Sequence, residues 1–306
     1  MGEGAATPAQ RRAGIALMLA SSASTQAGAA LGAMAFPVIG PVGVVAVRQI
    51  VAALVLASVV RPRFRGLRAD QWWPVIGLAV VFSVMNVSLY AAIDRIGLGL
   101  AVTLEFLGPL AVAVAGSRRR LDLGCAVLAG VGVVVLTRPG PATDVIGIAL
   151  ALLAAALWAS YILLNRTLGR RLRGLQGTAV ASVVAAAAWT PIAVFWFAFH
   201  VPAAPTMPVM PVMVAVALAV ACGLMSSIIP YAADLFALRR VSAHAFGTFT
   251  SINPVWAALA GWLVLGQVLD LGEWTGIALI ALSSLVVSST AERTGPGASP
   301  GSRVAA

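Results

Sequence analysis

The sequence is poor in charge and has no lysine at all. Only 10% of its 306 residues are charged, against roughly 25% in ordinary globular domains, and all twenty basic residues are arginine. A soluble domain of this length needs far more polar surface than that. The two cysteines, Cys125 and Cys222, stand alone inside apolar runs, which excludes a disulfide framework or a cysteine metal site. His244 is a lone histidine near a run boundary and is not read as a proton relay. No Gly-rich phosphate loop with a lysine occurs, which excludes ATP-driven transport. No HExxH, Ser/His/Asp set or paired carboxylates argues for catalysis. The expectation is therefore no enzyme, no cofactor and no metal.

What is present is apolar. Hydrophobic residues make up 60% of the chain, and the mean hydropathy is +0.98. Runs between the charge knots give ten expected helices, at 14–36, 42–60, 72–92, 97–115, 122–137, 145–165, 175–199, 209–236, 243–265 and 271–290. A helix of about 20 residues crosses a hydrocarbon core of about 30 Å, so the fold class is an all-α integral membrane protein with ten transmembrane helices. The first run lacks a clear cleavage site and reads as a retained helix. Residues 291–306, rich in Gly, Pro and Ser, read as a disordered cytoplasmic tail. Pro202, Pro205, Pro208 and Pro211 recur at every third position, the polyproline II period, and suggest a stiff external loop.

The net charge of +10 invites a nucleic-acid partner, but the arginines sit in short loops. With the N-terminal residues 1–12 inside, the inner segments hold Arg11, Arg12, Arg61, Arg63, Arg65, Arg68, Arg118 to Arg120, Arg166, Arg170, Arg171, Arg173, Arg239, Arg240, Arg293 and Arg303. The outer segments hold only Arg95 and Arg138. This seventeen-to-two bias is the positive-inside pattern for ten crossings with both termini cytoplasmic.

The chain also repeats itself weakly. GIAL opens the first helix at 14–17 and the sixth at 147–150, and a shift of 145 superposes Arg95 on Arg240 and Pro109 on Pro254. The reading is two five-helix repeats, 13–138 and 144–290. Five crossings is an odd number, so the second copy is inverted, as in many secondary transporters.

Polar groups inside the membrane cost roughly 2.5–3.5 kcal/mol when charged and therefore mark the bundle interior. Arg48, Glu105 and Asp234 are the charges that matter within expected spans; Gln26, Asn86, Trp158, Tyr161, Tyr231 and Asn253 are further candidates for binding substrate or protons. Two readings of Arg48 and Glu105 stay open. They form an internal ion pair that only holds helices together, or they face a cavity and receive the carboxylate and ammonium of a zwitterion. Asp234 lies close to Arg239 and Arg240, where a local ion pair is the alternative to a site. Pro109 and Pro254 each free a carbonyl one turn back, making them hinge or kink candidates. Gly108 and Ala29 read as helix-packing positions.

The segments 26–49, LGLAVTLEFLGPLAVAVAGSRR at 98–119, ALWASYIL at 156–163 and IPYAADLFALRRVSAHAFGTFTSINPVWAALAGWLVLGQ at 229–267 resemble the EamA-type branch of the drug/metabolite transporter superfamily, and within it the bacterial threonine/homoserine exporters. The resemblance implies ten-helix exporters with a central cavity between two repeats, run on the proton gradient, with an Arg and a Glu at the positions of Arg48 and Glu105. This chain departs from the pattern in having Asn253 before Pro254 and Gln267 in LGQ where acids are usual, and Asp234 for a Glu. The expected function is export of small amino acids or related metabolites across the bacterial plasma membrane by proton antiport. Export of drugs or other metabolites, and a non-transporting sensor or assembly subunit, are the alternatives. The expected partners are a small-molecule substrate, protons and membrane lipids, with room for a homodimer.

Overall fold

The computed structural model describes residues 8–64, 67–116, 120–137, 143–171, 175–201, 210–228 and 251–290. Tyr231, Asp234 and His244, the tail at 291–306 and the loop prolines Pro202, Pro205 and Pro208 lie outside the described residues. Within them, regular structure is helical throughout: α1 (Pro8–Met34), α2 (Phe36–Val60), α3 (Ala69–Ile96), α4 (Leu98–Glu105), α5 (Leu107–Ala115), α6 (Arg120–Thr137), α7 (Val145–Arg171), α8 (Gln176–Phe199), α9 (Val212–Gly223), a π turn at Leu224–Ile228, α10 (Asn253–Leu265) and α11 (Leu271–Thr290). Six stretches are long and apolar enough to cross a bilayer, counting α4 and α5 as one, and α10 and α11 are shorter apolar helices.

The corners follow from single residues. Gly40 (φ +67°, ψ 167°) breaks the helical path inside α2, and Pro41 restarts it at a position where a missing N–H costs nothing. The unbroken part of α2 therefore begins at Pro41, close to the 42 expected for that helix. Gly97 (φ +83°) alone turns α3 into α4.

Turns stand within two expected spans. The fourth, expected as one helix over 97–115, divides at a turn on Phe106. Pro109 is the third residue of α5 and has no N–H to offer the Glu105 carbonyl one turn back. The ninth was expected from 243. Its described part shows a turn at Ser251–Ile252, and α10 then starts at Asn253 with Pro254 in its first turn. Phe106 and Ser251 are 145 positions apart, the same shift that superposes the two prolines.

The helices pair in a definite pattern. α2 packs on α8, α4 on α10 and α6 on α11. α3 packs on α7 while α1 packs on α9 and the π turn; α1 packs on α10 while α4 and α5 pack on α7. Close backbone approach allows this. A Cβ on Gly108 would fall 2.2 Å from the Ala155 carbonyl oxygen of α7. At the α6–α11 crossing, Gly132 and Gly276 face each other, and a Cβ on Gly276 would lie 2.8 Å from the Gly132 oxygen. Small residues at such crossings let helices pack where lipid supplies no hydrophobic drive.

The interior is a continuous apolar cluster including Ala30, Ile39, Val44, Leu98, Leu104 and Ile280. The outside is apolar as well: Val127, Val131 and Val134 of α6, and Ile76, Val80 and Val84 of α3, recur at helical spacing and are exposed. An apolar exterior with buried polar groups suits hydrocarbon as the solvent.

Candidate functional site: a polar cavity inside the bundle

A cavity of about 370 Å³ lies among α1, α2, α3, α4, α7, α8, the π turn and the start of α10. Gln26, Arg48, Asn86, Glu105, Trp158, Tyr161 and Asn253 all line it, so the structure brings seven of the nine binding candidates together. Tyr231 and Asp234 are the two outside the described residues.

Arg48 projects from α2 onto one face of α3. Its Nη1 donates to Asn86 Oδ1, and its guanidinium lies over the Tyr90 ring, 5.3 Å from the centroid. Asn86 is itself oriented, because its Nδ2 donates to the Phe82 carbonyl 2.7 Å away. Phe82, Asn86 and Tyr90 follow at four-residue spacing, which stacks them on one helical stripe. Tyr90 is fully buried, and its hydroxyl lies 3.0 Å from Cys222 Sγ, tying α3 to α9.

Glu105 is the last residue of α4, directly before the break at Phe106, and is 7% exposed. The ion pairs among the described residues are Arg68–Asp70 and Arg95–Asp144, both away from the cavity. Arg48 and Glu105 thus share the cavity wall without forming a contact ion pair, and Arg48 is held by Asn86 and Tyr90 instead. The carboxyl of Glu105 has no hydrogen-bond partner among the described residues.

Aromatic rings close the far wall. Phe106 meets Trp158 edge-on with centroids 5.0 Å apart, and Phe82 meets Tyr161 at 5.1 Å. The cavity extends toward the arginine-bearing end of the bundle, reaching Met18 near the start of α1 and Leu56 near the end of α2. Toward the opposite end, two contacts cross between helices. Trp196 Nε1 donates to the Ile39 carbonyl at 2.8 Å, where its ring packs on Gly40. Arg95 Nε meets Asp144 Oδ1 at 3.1 Å, and Asp144 also caps α7 by accepting from the Gly147 N–H at 2.7 Å. Those two interactions, the backbone bond foremost, hold the Asp144 carboxyl below its ordinary value.

Gln267 takes a structural place. Its Oε1 accepts the Leu98 N–H at 3.0 Å, capping α4 from the far end of α10. The carboxamide sits where a Cβ on Gly97 or Gly261 would fall, 3.1 Å and 2.6 Å from Oε1.

Several lining residues were not among the sequence candidates. Tyr90, Gln49 and Ser182 line the cavity, as do Ser226 and Ser227 in the π turn. Tyr90 carried a usable signal, four residues after Asn86 on the same stripe. The serines carried none, since serine is common in such helices.

Residues 145–289 match the EamA-like transporter family. The chain is 35% identical over 278 residues to the threonine/homoserine exporter RhtA of Escherichia coli K12, covering 90% of this chain and 89% of that one. The chain belongs to the EamA-like transporter family. The exporter of the same name from Salmonella typhimurium LT2 is 34% identical over the same length, and the uncharacterized transporter YwfM of Bacillus subtilis is 25% identical over 240 residues, 74% of this chain and 77% of that protein. A crystal structure 19% identical in sequence shares the fold at a TM-score of 0.59, over 91% of this chain and 98% of that one. This EamA-like chain is accordingly a multi-pass transporter of the bacterial inner membrane, and the relatives at 34–35% identity are named as exporters.

Proposed function

We propose that the protein exports small zwitterionic amino acids of the threonine/homoserine kind, or close metabolites, in exchange for protons. The observation that carries this is the joint placement of Arg48 and Glu105 on one buried cavity without a mutual ion pair. A guanidinium held by Asn86 and Tyr90 offers a fixed fork to a carboxylate. A carboxyl without an internal partner suits either a substrate ammonium or a proton, which is what alternation between the two requires. The relatives named for threonine and homoserine supply the substrate class.

Alternating access needs two related halves, and the reading of two inverted five-helix repeats, 13–138 and 144–290, draws support from three features. Exchanging the first five crossings with the second five turns the α3–α7 pairing into that of α9 and the π turn with α1, which also exists, and leaves the α2–α8, α4–α10 and α6–α11 pairings as they are. More directly, α1–α10 exchanges with the α4/α5–α7 pairing, and both pairings exist. The turns at Phe106 and at Ser251 are 145 residues apart, and LDLG stands at 121–124 and again at 269–272. With both termini cytoplasmic, the cavity faces inward, ready to load an exporter.

The test is growth of a bacterium lacking its own threonine and homoserine exporters on inhibitory concentrations of each amino acid and on a drug panel. Amino-acid tolerance conferred by the wild type, and removed by Arg48→Ala, is expected. Drug resistance with unchanged amino-acid tolerance overturns the proposal in favour of a drug exporter.

A further inference from the structure

One wall of the cavity carries polar groups that neither the charge arrangement nor the fold uses. On α1, Ser24 donates to the Met225 carbonyl at 2.9 Å and Thr25 to the Ser21 carbonyl at 3.0 Å. Their neighbours differ. Gln26 and Ser22, 5% and 7% exposed, line the cavity one helical turn apart, and neither side chain has a hydrogen-bond partner among the described residues. The amide opens onto the cavity, and a ligand that displaces its water without offering a partner is penalised. The amide's hydrogen bonds must come from what fills the cavity.

We propose that Gln26, with Ser22 beside it, reads a neutral hydroxyl on the substrate and makes the transporter selective for hydroxyl-bearing amino acids over their aliphatic isosteres. The inference rests on the zwitterion reading and adds a third recognition point to it. Arg48 and Glu105 supply the two charges, so a third charged group on the ligand would stand at Gln26 without a counter-ion. An aliphatic side chain would displace water from the amide and offer it no partner. A hydroxyl both donates and accepts, so it satisfies an amide in either orientation, and the Ser22 hydroxyl equally. Sites that bond a substrate hydroxyl reject the isostere lacking it, because the site's own polar groups are then stranded. The cavity of about 370 Å³ has room for one amino acid of this size together with water.

Threonine and valine differ by a hydroxyl for a methyl, and they make the test. Counterflow into liposomes holding the purified protein is measured for both, giving the ratio of their kcat/KM values. The wild type should prefer threonine, and Gln26→Met, which keeps the length and bulk of the side chain, should lower the ratio about tenfold, mainly by admitting valine. Ser22→Ala should lower it less, and gives a second reading should the Met variant fold poorly. A threonine preference left intact in both variants overturns the inference while the exporter reading stands. A wild type that moves threonine and valine equally well overturns it too. A wild type that moves neither overturns the zwitterion reading and this inference with it.

Discussion

Replacing Gln267 by Leu should destabilise the bundle by removing the cap on α4. The Leu98 N–H is an orphan donor at a helix start, and Leu98 is fully buried, so no water replaces the carboxamide. Stranding such a donor costs roughly 1–3 kcal/mol, a fall in melting temperature on the order of 5 °C for a chain of this size. Gln267→Glu keeps the acceptor oxygen and puts negative charge at the start of α4, worth about 0.3–1 kcal/mol in its favour. That variant should melt at or above the wild-type temperature. Gly261→Ala should mimic the Leu variant, because its Cβ would stand 2.6 Å from Gln267 Oε1 and push the carboxamide away. The double variant Gln267→Leu with Gly261→Ala should then cost less than the two single losses added. Thermal unfolding of the detergent-solubilised proteins, followed by circular dichroism, measures all four. A Leu variant as stable as the wild type, or strictly additive losses, would refute the capping argument.

Three further outcomes are expected. Gly108→Ala should cost about 1–3 kcal/mol or more, read as lost expression and a lower melting temperature, because its Cβ would meet the Ala155 carbonyl at 2.2 Å. Asn86→Leu should raise the KM for substrate severalfold with little loss of stability, since it frees Arg48 from the partner that aims it; transport kinetics in liposomes give both constants. Asp144 is held below its ordinary value of 3.8, so its capping and ion pairing stabilise the fold above that pH and are lost as pH falls through the lowered value. Melting temperatures measured downward from about pH 5 should therefore drop less steeply in Asp144→Asn than in the wild type.

Much of the fold and site was legible because lipid penalises exceptions. An Arg or Glu in the middle of an apolar run has to face the interior, so Arg48 and Glu105 mark the inside of the bundle in sequence. Gln26, Asn86, Trp158, Tyr161 and Asn253 followed by the same logic and line it. The interior pairing was less legible. The open choice between an ion pair and a cavity for Arg48 and Glu105 could not be decided in sequence, because Arg48's actual partners, Asn86 and Tyr90, lie about 40 residues away on another helix. The break at Phe106 was hidden for a related reason: Phe106 is a good apolar residue, and only Pro109, three positions on, hints at it. In sequence, Gln267 stands only as a missing acid. In the structure it caps a helix 169 residues distant in sequence, and an amide oxygen does that as a carboxylate would.

The central claim is that this cavity exchanges an amino acid for protons through Glu105. The most direct measurement uses liposomes reconstituted with the protein, loaded with pyranine, and given threonine on one side with no other gradient. Threonine moving down its gradient should drive protons the other way and change the internal pH. Glu105→Gln should abolish the pH change and weaken threonine binding without removing it, since Arg48 still holds the carboxylate, as seen by ligand-induced thermal stabilisation. Threonine flux with no proton movement in the wild type, or unchanged proton movement in Glu105→Gln, would contradict the account.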